Sequence, residues 1–305
     1  MGWPAQYVSN KDKRYFLYLL FFVFSSGSVL IILLKSKAPK EYGDVYFEDF
    51  YDLYKFDIQI NKLTLFKVFD IESRLRTSIA YHFSENHCNT ITSTLNYINS
   101  SCYQAPSPSD TYLTNKFNSF DLFKKAEYDS KTGVLRKLSF IDQLKKDKEY
   151  ISKYTAPPFW VVIKALPLGT LYYTYLFLDC SVKPCVLKDY GFSLSDTNIF
   201  EQSLYLLKEI RNHCAHLELI TRFKLKRSSN LNYFNDLAAY SFLSKTNFLN
   251  YMDVLKNFKI YGSVGDIKWT ILLFYIKMCA KGRRKIARKI LGKMGQQSVF
   301  SWLAL

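Results

Sequence analysis

Glycine and proline are scarce, 11 and 8 in 305 residues. With so few chain breakers and several long apolar runs, a turn-rich sandwich or barrel is excluded in favour of a helical protein. Disorder is excluded by the 49% hydrophobic content. Paired cysteine spacing is also missing. Cys88, Cys102, Cys180, Cys185, Cys214 and Cys279 are scattered, and no C-x-x-C occurs. They read as reduced, mostly buried thiols of a cytoplasmic protein, without zinc or a disulfide framework. No Gly-rich loop could cradle a nucleotide phosphate, and no internal repeat suggests a solenoid.

Acidic residues run short in the second half. Residues 1–150 hold 20 basic and 17 acidic side chains, whereas residues 151–305 hold 22 and 9. From Arg222 to Lys293 there are 16 basic and 3 acidic, net +13. A block of that sign attracts polyanions, either nucleic acid or an anionic membrane surface.

Aromatics are abundant, with 24 Tyr and 25 Phe. The first strong feature is the uncharged run YFLYLLFFVFSSGSVLIILL at 15–34, flanked by Lys11, Lys13, Arg14, Lys35 and Lys37. Its length and flanks predict a helix able to cross a membrane. The other reading is two buried core segments broken at SSGS. From Phe47 to Phe83 the pattern is helical, with Phe69, Arg76 and Ala80 recurring at helical spacing. Glu72 and Arg76 are placed to pair. Residues 84–118 read as a polar loop, and 121–153 as one or two solvated helices. Pro157 and Pro158 predict a helix start. Pro167 and Gly169 divide the apolar run that follows into two short helices. Ser195, Asp196 and Thr197 offer N-cap chemistry for the clearest helix, 198–220. Further helices are expected near 236–258 and 266–279. The stretch GRRKIARKILGKMG reads as a basic amphipathic helix between glycines, suited to an anionic bilayer surface. The division expected is 1–44 as a hydrophobic N-terminal segment, 45–225 as a helical domain, and 226–305 as a basic extension packed on it.

The 198–220 helix carries RNHCAH at 211–216. On a helical wheel with Arg211 at zero, Lys208 falls near 60°, Asn212 near 100° and His216 near 140°, while Leu207, Ile210, Cys214 and Leu217 fall at roughly 240–320°. His213 points toward the rim. Four readings compete: a metal site, a Cys–His nucleophile pair, an Arg–His site for phosphate chemistry, and a plain polar stripe. A cation at Arg211 opposes a metal, and Cys214 lies on the apolar side. An Arg that stabilises anionic charge beside a His that exchanges protons suits phosphate chemistry.

The form RN-x-C-A-H resembles the R-x4–6-H motif of HEPN ribonucleases, specifically the Abi family of abortive-infection proteins. YDLYKFD (51–57), DIESRLRTSIAYHF (70–83) and PPFWVVIKALPLGTLYYTYLFL (157–178) are similar to that family's blocks, so the resemblance covers roughly 45–225. Ahead of them, FFVFSSGSVLIILL replaces the block expected there. The resemblance implies an all-α, HEPN-like bundle that dimerises so that two motif helices form one composite site. It implies metal-independent RNA cleavage, with no cofactor, by attack of a ribose 2′-OH on the adjacent phosphate. Arg211, Asn212 and His216 would be the catalytic group. Lys208, Arg222, Lys224, Lys226 and Arg227 are expected to touch RNA, and an antitoxin protein or RNA is an expected partner. The competing function is a non-catalytic RNA-binding or membrane-associated interaction protein, held to a bilayer through 15–34.

Overall fold

The computed structural model describes residues 46–130, 132–223, 247–258 and 264–304. The apolar run 15–34 lies outside the described residues.

Between residues 47 and 87 there is neither glycine nor proline, and the chain forms one helix, α1 (Phe47–His87). At 1.5 Å per residue its 41 residues extend about 60 Å. The Asp49 carboxylate caps its start, accepting the Tyr46 N–H at 3.0 Å. Leu53, Phe56, Ile60, Val68, Ile71, Leu75, Ile79 and Phe83 make its buried stripe. Ala80 belongs to that face, but Phe69 does not: it is 47% exposed, so the periodicity expected through it is displaced. Arg76 pairs with Glu72 as expected, and also donates to the Leu166 carbonyl at 3.1 Å.

Residues 84–118 are less loop-like than expected. They contain two 3-10 turns and helix α2 (Thr111–Asn118), capped by Asp110. Tyr97 and Tyr103 are buried there, and their hydroxyls donate at 2.7 Å to the carbonyls of Pro157 and Tyr97. The next stretch, expected to form one or two solvated helices, begins with a 3-10 turn (Asp121–Phe123) and a small exposed hairpin, β1 (Glu127–Tyr128) against β2 (Leu135–Lys137). Two short helices follow, α3 (Phe140–Asp147) and α4 (Glu149–Ser152). Prolines divide the apolar run as predicted: Pro158 caps α5 (Phe159–Val162) and Pro167 caps α6 (Leu168–Leu176). Then come α7 (Lys183–Asp189) and the central α8 (Thr197–Ala215).

The C-terminal helices are α9 (Phe248–Asn257), α10 (Gly265–Ala280), α11 (Arg284–Met294) and α12 (Val299–Ala304). They share one hydrophobic core with α1 and α8. Phe274 of α10 stacks on Phe56 of α1 with ring centroids 4.1 Å apart. Lys277 and Lys281 reach Asp52 at 2.6 and 2.5 Å, and Arg283 reaches Asp49 at 3.3 Å. Three cations of the basic block therefore answer carboxylates at the start of α1.

Helix α11 corrects another expectation. Its apolar side, Ala287, Ile290, Leu291 and Met294, is buried in the core. A helix lying on a bilayer must offer that side to lipid, so α11 cannot lie on a membrane while the protein is folded. It stops at Gly295, where φ is +147° and an added β-carbon would collide with Leu249. Among the described residues no helix is long and apolar enough to cross a membrane. Among the described residues the fold is all-α apart from one two-stranded hairpin.

Candidate functional site

The motif helix ends earlier than its pattern suggests. α8 closes at Ala215, and His216 is its cap residue. Leu217 follows with φ +53°, a left-handed conformation usually given to glycine. The Leu217 N–H donates to the Cys214 carbonyl at 3.0 Å, and the Glu218 N–H to the His213 carbonyl at 3.1 Å. This pair of bonds is the Schellman closure of a helix, with a leucine where glycine is the rule.

The strained turn is fastened from two sides. His213 lies partly buried under it. One ring nitrogen sits 2.8 Å from the Leu219 carbonyl, the other 3.0 Å from the Glu218 carboxylate, and the ring packs edge-on against Phe223. From α1, Asp57 reaches the far end of the turn. Its carboxylate accepts the Thr221 N–H at 3.1 Å and the Ile220 N–H at 3.3 Å. Asn61, one helical turn along, donates to Asp57 at 2.9 Å and to the Glu218 carbonyl at 3.3 Å. Asp57 is only 2% exposed. Burial pushes its carboxyl up to about 7, against the downward pull of the Thr221 and Ile220 N–H groups and of Asn61.

Against this fixed turn, the motif side chains meet solvent. Asn212 and His216 are exposed and Arg211 is half-buried. An Arg211 Nη1 donates weakly to the Asn212 amide oxygen at 3.4 Å, and its Nε is buried without a partner among the described residues. His216 is held through its backbone, whose N–H donates to the Asn212 carbonyl at 3.1 Å. Asn212 therefore addresses the Arg211 guanidinium with its side chain and His216 with its main chain. Cys214 points into the core, where burial first and the Asp57 charge second push its thiol up, which removes it as a nucleophile.

The expected RNA contacts fare unevenly. The Lys208 side chain is mostly covered: its ammonium sits 3.0 Å from Glu209 and 4.3 Å above the Tyr205 ring. Arg222 is half-buried beside the turn, and burial lowers its pKa. Lys224, Lys226 and Arg227 lie outside the described residues. His82 is engaged elsewhere, 3.0 Å from Asp189. Among the described residues no cluster of three or more His, Cys, Asp or Glu side chains is placed to hold a metal.

Asp57 and Asn61 hold the turn that follows the motif, and pattern reading missed them. The available signal was a carboxylate and an amide, four apart, on the apolar stripe of α1. Such groups are buried only with partners.

No curated protein and no solved structure matches the chain. The family model for Abi-like proteins matches residues 18–220, about two thirds of the sequence. The match starts within the apolar 15–34 run, so that run, read above as a departure from the family, falls inside the family's own sequence. It ends at Ile220, on the turn that Asp57 fastens. On the span of that match, the chain belongs to the family of Abi-like proteins, which ties it to abortive infection.

Proposed function

We propose that this protein defends against phage as a metal-independent ribonuclease of HEPN type, acting on RNA in the cytoplasm with Arg211 and His216 as its catalytic pair. One observation carries the reading. Arg211 and His216 stand at the solvent end of α8, on a turn held by Asp57, Asn61 and His213, so that His216 needs no side-chain bond of its own to stay in place.

Cleavage moves few atoms. The ribose 2′-OH gives up its proton and its oxygen attacks the adjacent phosphorus. A pentacoordinate phosphorane forms, and the bond to the 5′-oxygen breaks. The products are a 2′,3′-cyclic phosphate and a 5′-hydroxyl. Imidazole can accept the first proton or supply the one the 5′-oxygen needs. The Arg211 guanidinium offsets the extra charge on the phosphorane oxygens. One imidazole does one of these tasks at a time, so a composite site from two copies of the chain supplies both. Asn212, bonded to Arg211, orients the guanidinium.

The competing reading, a membrane-associated interaction protein, loses its surface-helix support because the apolar side of α11 is buried. The test is expression in cells of the wild type and of His216→Ala. Growth arrest with RNA breakdown for the wild type, and neither for the variant, is expected. Equal arrest by both removes His216 from the mechanism.

A further inference from the structure

Helix α11 carries a second feature beyond its buried side. Its outer face holds a concavity of about 460 Å³ lined by Lys285, Arg288, Lys289, Gly292, Lys293 and Gln297. Four of these lining residues are cations, one is an amide, and none is an acid. On a helical wheel the four cations flank Gly292 within an arc of roughly 140°. A glycine in a helix interior costs about 1 kcal/mol relative to alanine, so its place here asks for a reason. A β-carbon on Gly292 would stand 2.7 Å from Cγ of Gln297, inside the space the amide side chain now uses. The glycine leaves room for Gln297 to lie against the helix at the floor of the concavity.

The location is as telling as the composition. α11 packs directly on the 220–222 turn. That is the turn Asp57 fastens, and it begins four residues after His216. The basic face and the Arg211–His216 pair are thus carried on adjoining parts of the fold.

We propose that the α11 concavity is a binding site for the phosphodiester backbone of RNA, which holds the strand as it passes toward His216. Recognition is by charge and shape at phosphate oxygens and carries no base preference. The chemistry of phosphate binding is shared by anionic lipid headgroups. RNA is favoured because the apolar side of α11 is committed to the core. The site's position beside the 220–222 turn matters only for the path of the strand, so the inference rests on the nuclease reading in that respect alone.

The test uses full-length protein in a His216→Ala background, so that RNA survives the measurement, and fluorescence anisotropy of a labelled single-stranded RNA of mixed sequence. Lys285→Gln with Arg288→Gln removes two charges from an exposed face and leaves the fold intact. If both cations meet phosphates, affinity falls by about 5-fold per cation at roughly 0.1 M salt, about 25-fold together, and the slope of log K against log salt shrinks by about 1.4. The charge-keeping pair Lys285→Arg with Arg288→Lys should bind like the parent. Unchanged RNA affinity and slope in the double glutamine variant overturn the site. So does binding, dependent on the same two cations, to vesicles of phosphatidylserine and phosphatidylcholine but not to RNA. With His216 restored, the glutamine variant should need about 25-fold more RNA to reach half-maximal cleavage. Failure of the wild type to cleave, with α11-dependent RNA binding intact, would count against the nuclease reading and leave this site standing.

Discussion

Replacing Asp57 by alanine is expected to weaken the protein more in acid than in base, the reverse of what a stabilising carboxylate does. Two effects oppose each other. The substitution leaves the Ile220 and Thr221 N–H groups without their acceptor, at about 1–3 kcal/mol each for buried donors. It also removes a carboxylate that burial holds up at about 7 instead of 3.8. A folded-state pKa above the unfolded one gives stability that is fully present below the unfolded value and lost as pH rises through the folded value. The window here therefore runs from about 4 to about 7, and above it the wild type bears the whole cost of burying the charge. Moving from about pH 8.5 to about pH 5.5 crosses roughly 1.5 units of that window, at about 1.4 kcal/mol per unit. The wild type should thus gain about 2 kcal/mol over the alanine variant. Urea unfolding of both proteins at the two pH values measures the difference. A destabilisation equal at the two values, or larger at high pH, refutes the account of Asp57. Because the same carboxylate fastens the turn that follows His216, the variant should also lose RNA cleavage while keeping RNA affinity.

Leu217→Gly should stabilise the protein by about 1 kcal/mol, since it relieves a left-handed leucine that is 56% exposed; a lower melting temperature would show that the leucine side chain matters more than its backbone. His216→Ala removes an exposed side chain and should shift stability by no more than about 0.5 kcal/mol, which chemical denaturation will detect. Leu207→Ala opens a cavity beside fully packed neighbours and should cost about 2–5 kcal/mol, while the fraction that remains folded cleaves RNA normally. Gly292→Ala should raise or preserve the melting temperature. Helix propensity gains about 1 kcal/mol, and the Gln297 side chain that the new methyl displaces is exposed; a clear loss would mean that moving Gln297 costs more than the propensity gain.

Much of the fold was legible because its causes are local. The absence of breakers from 47 to 87 announces α1, and Pro158 and Pro167 mark helix starts where they stand. What was missed has distant causes. The 127–137 hairpin is exposed and has no apolar alternation to betray it. Phe69 resembles a core residue, and only the placement of neighbouring elements decides that Ile71 and Leu75 are inside instead. At the candidate site, the side-chain set 211–216 can be read from spacing. The end of α8 cannot, because no glycine marks it and Leu217 takes the left-handed position. Asp57 bonds a turn 163 and 164 residues away, a pairing that no local pattern encodes.

The central claim is that Arg211 and His216 break RNA without a metal, and cleavage of end-labelled RNA by purified protein in excess chelator tests it most directly. The account predicts that wild-type protein produces fragments ending in a 2′,3′-cyclic phosphate, and that Arg211→Ala and His216→Ala, both folded, produce none. Undiminished cleavage by the His216→Ala protein, or its disappearance from the wild type when chelator is added, would contradict it.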